Sequence, residues 1–363
     1  MRTDELDFEL PDELIARRPA DRRDAARLLH YKRASDAIAH RVVSDLPTLV
    51  RPGDVMVFND ARVTPAKFTL IKPTGGRVGG LFLEDRGDGT WEVLLKSPGE
   101  TNTESAWRFG SCDPADRSPT ATRRVAATRD QDESEIAVRV IERLGGGRYV
   151  LHVDDDRSAD AVLQEVGQMP LPPYIGRAED EPADRERYQT VYADKPGSVA
   201  APTAGLHFTP ELLAKLDDAG VIRTTLTLHV GMGTFKPVSA DDLDDHDMHR
   251  ERYELPAECC DIVNAAKSEG RRVIAVGTTS ARVLEAAEPG DLQPGLGSTA
   301  LFIRPPYQWR RVDALWTNFH LPRSTLIALV DAFVGSDQRR RLYQTAIDER
   351  YRFFSYGDVM FLE

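Results

Sequence analysis

Apolar and polar positions divide this chain into three textures. Residues 1–60 begin with a segment that predicts a short, Arg-rich helix opening at Pro11. They end in the apolar run Val55-Met56-Val57-Phe58, a strand, followed by the polar turn Asn59-Asp60-Ala61-Arg62. From about Pro65 to Val153 short β-prone runs (Lys67–Ile71, Trp91–Leu95, Ile136–Val140, Arg148–Val153) alternate with Gly, Pro and Asp clusters. That spacing predicts a small all-β barrel or sandwich. Inside it, Ser111 to Ser134 is polar, Arg/Asp-rich and poor in large apolar residues, the pattern of a loop or flexible insertion.

After about Asp154 the period changes. Thr209-Pro210 supplies a helix cap and a proline at the first helical position, and Gly220 supplies the stop. A strand over Val221–Val230 follows, in which Thr225, Thr227 and His229 share one face and the leucines the other. The pattern then predicts helix Ala257–Ser268, strand Arg272–Val276, helix Ala281–Ala287, strand Val312–Trp316 and a helix from Ser324 to Val334. Alternating strands and helices favour a largely parallel sheet. The expected fold is α/β: a main domain from both chain ends (1–64 with 154–363) and an inserted β-barrel domain (65–153). No internal repeat is visible.

The length of 363 residues is ample for two or three domains, and 41% apolar with 29% charged residues is ordinary globular composition. No run approaches the ~18 apolar residues of a membrane helix, and Met1–Glu5 lacks the start of an export signal. Three cysteines, two of them adjacent (Cys259, Cys260), build no disulfide framework, so a cytoplasmic globular protein is expected. Lys+Arg 47 against Asp+Glu 59 gives −12, but the charge is patchy. Arg17–Arg33 holds seven Lys/Arg and two Asp (+5), Arg304–Arg352 nine Arg and five acids (+4), and Asp241–Glu254 seven acids and two Arg (−5). The basic runs leave an RNA footprint open beside the plainer reading of solvated surface.

The chain lacks a G-x-x-x-x-G-K-[ST] phosphate loop, H-E-x-x-H, G-x-S-x-G and any C-x-x-C pair. Gly231-Met232-Gly233 lacks the rest of a dinucleotide fingerprint. What remains are small-polar and histidine motifs at predicted strand ends, where open α/β sheets bind their ligands. Gly277-Thr278-Thr279-Ser280 precedes a helix and suits a carboxylate or phosphate, with plain N-capping by Thr279 or Ser280 as the alternative. His207 ends the uncharged stretch Val199–Phe208, His229 leads into Gly231-Met232-Gly233-Thr234, and His320 sits in Thr317-Asn318-Phe319-His320. Three histidines near strand ends offer general acid/base chemistry near neutral pH. Asp245–Glu251, with His246 and His249, is the best metal candidate, but no third ligand stands at zinc spacing, so no metal is expected. Tyr351–Tyr356 reads as terminal strand packing or as a base-stacking platform.

These motifs carry a resemblance. MPLPPYI (169–175), YQTVYADKPGSVAAPTAGLHFT (188–209), TLHVGMGTFKPV (227–238), GTTSARVLEAA (277–287), TNFHLPRSTLIALVDAF (317–333) and YRFFSYGDVMF (351–361) resemble the S-adenosylmethionine:tRNA ribosyltransferase-isomerases, as do FELPDELIARRPADRRDAARLL (8–29) and VFNDARVTPAK (57–67). The likeness spans nearly the whole chain and weakens between about 75 and 155. It departs from the family at Gly75–Gly80, which lacks an acidic residue, and at Ser111–Ser134.

The resemblance implies an α/β domain with a small β-barrel, and a reaction of queuosine biosynthesis. The ribosyl part of S-adenosylmethionine passes to 7-aminomethyl-7-deazaguanine at the tRNA wobble position and isomerises to epoxyqueuosine, with release of adenine and methionine. S-adenosylmethionine is then a substrate, and no resident cofactor is expected; tRNA is the partner, a membrane is not, and a single chain is the expected unit. His207, His229, His320 and Thr203 are the implied catalytic candidates. Gly277, Thr278, Thr279, Ser280, Gly233, Thr234 and Asn318 would bind S-adenosylmethionine. Arg62, Arg17, Arg18, Arg22 and Arg23 would meet tRNA phosphates. The rivals are an S-adenosylmethionine-dependent RNA methyltransferase, whose glycine-rich loop is absent, and a non-catalytic RNA-binding protein.

Overall fold

The computed structural model describes residues 1–96, 106–110, 136–177, 181, 183–231 and 240–363. The expected loop Ser111–Ser134 lies outside them, as do Gly233 and Thr234. The chain forms two compact units: Met1–Arg62 with Pro172–Arg177 and Glu186–Glu363, and Val63–Leu171 with Ala178–Arg185.

In chain order the strands are β1 (Arg27–Lys32), β2 (Ala37–Val42), β3 (Val55–Asn59), β4 (Ala61–Val63), β5 (Lys67–Ile71), β6 (Arg77–Gly87), β7 (Thr90–Leu95), β8 (Ala106–Phe109), β9 (Ala137–Gly145), β10 (Arg148–Val153), β11 (Lys195–Ser198), β12 (Ile222–Leu228), β13 (Glu251–Leu255), β14 (Val273–Val276), β15 (Gly295–Thr299), β16 (Ala314–Asn318) and β17 (Val359–Leu362). The helices are α1 (Ala159–Val166), α2 (Asp184–Arg187), α3 (Pro210–Asp218), α4 (Ala257–Ser268), α5 (Thr278–Ala286), α6 (Thr325–Val334) and α7 (Ser336–Asp348).

The larger unit is built on a nine-stranded sheet ordered β15-β13-β12-β3-β14-β16-β17-β1-β2. Its centre, β12-β3-β14-β16, is parallel, as is β1 with β17; the remaining pairs are antiparallel. The sheet is therefore mixed, with parallel order confined mainly to its middle. β3, β14 and β16 are buried along their whole length, which is why they read as continuous apolar runs. Strand parity divides their side chains: Val55, Val57 and Ala275 enter one core with α4, α5 and α6, while Met56, Phe58 and Ile274 enter another with α3.

Helix starts follow their caps. The Thr209 hydroxyl accepts from the Leu212 N–H at 3.1 Å and the Ser324 hydroxyl from Ile327 at 3.4 Å. Two expectations need correction. The Pro11 segment is only a 3-10 turn, Asp12–Leu14, because the chain then runs extended and pairs with Phe353: Phe353 N–H donates to Leu14 O and Ala16 N–H to Phe353 O. Helix α5 starts at Thr278, three residues early, because Gly277 (φ +92°) makes the sharp turn that lets the helix leave directly from β14.

The smaller unit is a closed barrel ordered β10-β7-β6-β5-β8-β9. Helix α1 belongs to it, beyond the expected boundary at 153, since Ala159, Val162, Leu163 and Val166 join the barrel core. Gly80 pairs with Phe68 across β5 and β6, and a Cβ there would stand 2.2 Å from the Phe68 ring. The glycine in the atypical Gly75–Gly80 run thus makes room for a core aromatic.

Candidate active site

The four parallel strands present their carboxyl ends at one edge of the sheet, where ligands bind in open α/β folds. There the larger unit opens a cavity of about 810 Å³, mouth included, lined by Thr203, Val230, Gly277–Thr279, Thr317–His320 and Phe354-Ser355 among others. β17 runs antiparallel to β16, with Asn318 opposite Val359, so the turn preceding β17 is carried to this edge. That turn makes the wall formed by Phe354 and Ser355.

Hydrogen bonds tie the wall together. Thr203 Oγ1 donates to Asn318 Oδ1 at 3.0 Å, and Asn318 Nδ2 donates to the Phe354 carbonyl at 3.2 Å. Phe354 holds a left-handed backbone (φ +74°), fixed by its N–H on Phe319 O (3.0 Å) and by Gly357 N–H on its own carbonyl (2.9 Å). Such a conformation costs an aromatic residue ~1–3 kcal/mol and persists where the surroundings over-determine it. Tyr174 stacks on the Phe354 ring at 4.4 Å, and its hydroxyl bonds the Ser355 hydroxyl. Burial raises the Tyr174 phenol above its usual range, so it stays protonated.

No Lys, Arg, Asp or Glu lines this cavity among the described residues. Its polar groups are hydroxyls, the Asn318 amide, one imidazole and the first turn of α5. The free backbone N–H groups of that turn favour a carboxylate or hydroxyl oxygen. The Thr279 hydroxyl is buried beside them without a hydrogen-bond partner. Ser280 is different: its hydroxyl donates to Val276 O at 2.9 Å, four residues back, and the side chain is fully buried. Neither Thr279 nor Ser280 caps the helix; Gly277 does.

The three histidines do not converge. Only His320 lines the cavity. Its Nε2 meets Thr317 Oγ1 at 2.7 Å and its backbone N–H donates to the Tyr343 hydroxyl at 3.0 Å. Burial holds its pKa down to about 3, so the ring is neutral throughout the physiological range. His207 instead clamps backbone: Nδ1 lies 3.1 Å from Ala204 O and Nε2 3.0 Å from Gly357 O. Desolvation outweighs the pull of those carbonyls and lowers its pKa. His229 follows the end of β12, and it is Val230, the next residue, that lines the cavity. It is half-buried, with Nδ1 unpartnered, and burial and then Arg252 lower its pKa. Asp60 lies near it: its carboxyl accepts from Thr227 Oγ1 at 2.6 Å, and burial raises its pKa.

The basic run is largely engaged. Arg17 pairs with Asp12 at 2.7 Å and Arg22 with Asp24 at 3.0 Å. Arg23 donates to the carbonyls of Leu206 (3.1 Å) and Glu186 (2.9 Å). Arg18 is exposed and Arg62 half-buried on β4. His246 and His249 line a separate cavity with Glu251 and Arg282, a buried ion pair. No three metal-binding side chains gather anywhere among the described residues. Tyr174 had no functional reading from sequence, and Phe354 and Ser355 entered only within the Tyr351–Tyr356 segment read as strand packing or a base-stacking platform; all three line the cavity.

The profile of the family described as "Queuosine biosynthesis protein" matches residues 3–362. An S-adenosylmethionine:tRNA ribosyltransferase-isomerase of Anaeromyxobacter sp. (strain Fw109-5) is 47% identical over 365 residues, covering 100% of this chain and 99% of that one. The protein of the same name from Thermus thermophilus is 47% identical over 98% of both chains. The crystal structure of S-adenosylmethionine tRNA ribosyltransferase from Thermotoga maritima superposes with a TM-score of 0.54 at 31% identity, covering 99% of this chain and 100% of that one.

Proposed function

Because the chain belongs to the queuosine biosynthesis family of S-adenosylmethionine:tRNA ribosyltransferase-isomerases, we propose that the cavity at the sheet's carboxyl edge is where it carries out that reaction. The protein is a transferase-isomerase of tRNA modification. Its substrates are S-adenosylmethionine and, in this reading, a tRNA bearing 7-aminomethyl-7-deazaguanine at the wobble position. The ribosyl group moves to the aminomethyl nitrogen and is isomerised to the epoxycyclopentane, while adenine and methionine leave. In this reading S-adenosylmethionine is itself the ribosyl donor, so the reaction calls for no resident cofactor, and the enzyme works in the cytoplasm.

One observation supports the placement: a partly apolar cavity at the strand ends gathers in one lining the Thr203–Asn318 pair, the Thr317–His320 pair and the start of α5. The aromatic faces of Tyr174 and Phe354 suit a sulfonium cation, since no charged side chain is among the described lining residues. The first turn of α5, with Thr278 and Thr279, takes the methionine carboxylate or a ribose hydroxyl. Asn318, fixed by the Phe354 carbonyl, aligns Thr203 toward the nucleoside.

The sulfonium acidifies the neighbouring C5′–H, and a base must remove that proton. Among the described residues the cavity offers no carboxylate, and His320, held by burial to a pKa of about 3, is too weak a base for this proton, which leaves the neutral incoming amine as acceptor. His320 cannot be the acid that protonates departing adenine, since its conjugate acid is far too strong to be populated at neutral pH.

Product analysis tests the reading. The protein is mixed with S-adenosylmethionine and tRNA carrying the aminomethyl base. Equimolar adenine and methionine with a heavier tRNA nucleoside are expected. S-adenosylhomocysteine as the product identifies a methyltransferase and refutes the assignment; tRNA binding with no turnover refutes it in favour of a binding protein.

A further inference from the structure

Behind the Phe354–Gly357 wall lies a second cavity of about 300 Å³, mouth included, which shares Ser355 with the first. Three guanidiniums line it: Arg23, Arg187 and Arg352. Among the described residues no Asp or Glu lines it. The three come from distant parts of the chain, and each is anchored by main-chain carbonyls. Arg23 donates to Leu206 and Glu186, Arg187 to Asp21 (3.1 Å) and Ala20, and Arg352 to Tyr356.

Those bonds restrain the side chains without neutralising them, and they leave donors over. Arg187 Nε is buried with no partner at all. Burial and then the neighbouring Arg187 work against the charge on Arg23, and the Glu186 carboxylate, which lies outside the lining, offsets them only in part. The nearby Asp358 carboxylate is already occupied by the backbone N–H groups of Arg27 (2.9 Å) and Arg352 (2.7 Å). Like charges held together, preoriented and lacking a counter-charge in the lining form a receptor for an anion with several oxygens.

We propose that this arginine cavity receives a phosphate of the tRNA strand, one flanking the nucleotide whose base enters the first cavity. The inference rests on the enzyme reading above. Burying that base beside S-adenosylmethionine requires it to leave its stack, which carries the adjoining backbone to the cavity rim. The contact fixes register without reading sequence.

The test is tRNA affinity as a function of salt, from about 50 to 250 mM KCl, for the wild type, Arg187→Gln and Arg187→Lys. Removing one bound phosphate should flatten the slope of log K against log salt by about 0.7–0.9. Arg187→Gln should show that change and bind tRNA about 10-fold more weakly at low salt, with S-adenosylmethionine affinity unaltered. Arg187→Lys keeps the charge and should keep the slope, even if its backbone anchors are broken. Unchanged affinity in Arg187→Gln, or weaker binding with an unchanged slope, overturns the proposal and leaves a structural arginine. Micromolar binding of inorganic phosphate alone, with an unchanged tRNA slope, also overturns it and marks a small-anion site. A wild type that binds no tRNA removes the enzyme reading itself; one that turns over while Arg187→Gln keeps its slope removes only this inference.

Discussion

Replacing His320 by Gln should remove one proton from the acid sensitivity of the larger unit. The imidazole is 8% exposed and its Nε2 faces the Thr317 hydroxyl. Its native pKa is about 3 against an ordinary 6.5, so below pH 6.5 the unfolded chain takes up a proton that the native state refuses. The stability associated with the neutral ring is therefore present above pH 6.5 and falls as pH drops from 6.5 toward 3. At about 1.36 kcal/mol per unit, the loss by about pH 5 is roughly 2 kcal/mol. For a unit of this size that corresponds to a melting shift of about 4–8 °C. Gln keeps a hydrogen-bonding group for Thr317 but cannot titrate. Urea unfolding at about pH 7.5 and 5, followed by tryptophan fluorescence, should show a wild-type loss larger than the variant's by that ~2 kcal/mol. If both proteins lose the same stability, His320 is already charged, or already exposed, in the native state, and its exclusion as a proton donor fails with it.

Two further outcomes follow from packing. Gly80→Ala places a Cβ within 2.2 Å of Phe68, a ring itself packed edge-on against Phe109 at 5.4 Å, and should cost about 1–3 kcal/mol in thermal unfolding of the barrel unit. Adding Phe68→Leu should recover part of that loss, whereas simple additivity would show that the clash is not the cause. Arg339→Met strands the fully buried Asp331 carboxylate, which Arg339 Nε meets at 2.7 Å, and should cost about 3–5 kcal/mol in denaturant titration. Arg339→Met with Asp331→Asn should lose clearly less, and an equal loss would show that the charge is not the source.

What the sequence revealed depended on how local the determining physics was. Thr209-Pro210 and Ser324 located their helices because a cap is satisfied by N–H groups three residues on. The apolar run at Val55 announced a strand covered on both faces. The alternation in β12 also held: Thr225 and Thr227 lie on one face and Leu226 and Leu228 on the other. Just past β12, Val230 lines the cavity and His229 does not, so grouping His229 with His320 overlooked an alternation already in the pattern.

His207 was beyond local reasoning, since its clamp on Gly357 joins residues 150 apart in sequence. Phe354 and Ser355 reach the site only because β17 pairs antiparallel with β16. The basic run at Arg17–Arg33 leaves solvated surface and an RNA footprint both open from sequence. In the fold Arg17 and Arg22 are paired with Asp12 and Asp24, Arg27 lies over the Tyr351 ring at 3.8 Å, and Arg23 lines the arginine cavity.

The claim that the cavity at the sheet's carboxyl edge performs the transfer is tested most directly by adenine release in a single turnover. Two variants are compared: Asn318→Leu, within the cavity wall, and His229→Gln, just past β12 and outside the cavity lining. Losing the Thr203–Asn318–Phe354 alignment should slow adenine release about 100-fold in Asn318→Leu, while His229→Gln stays within about threefold of the wild type. The reverse ranking would contradict the account and move the chemistry toward Asp60 and His229.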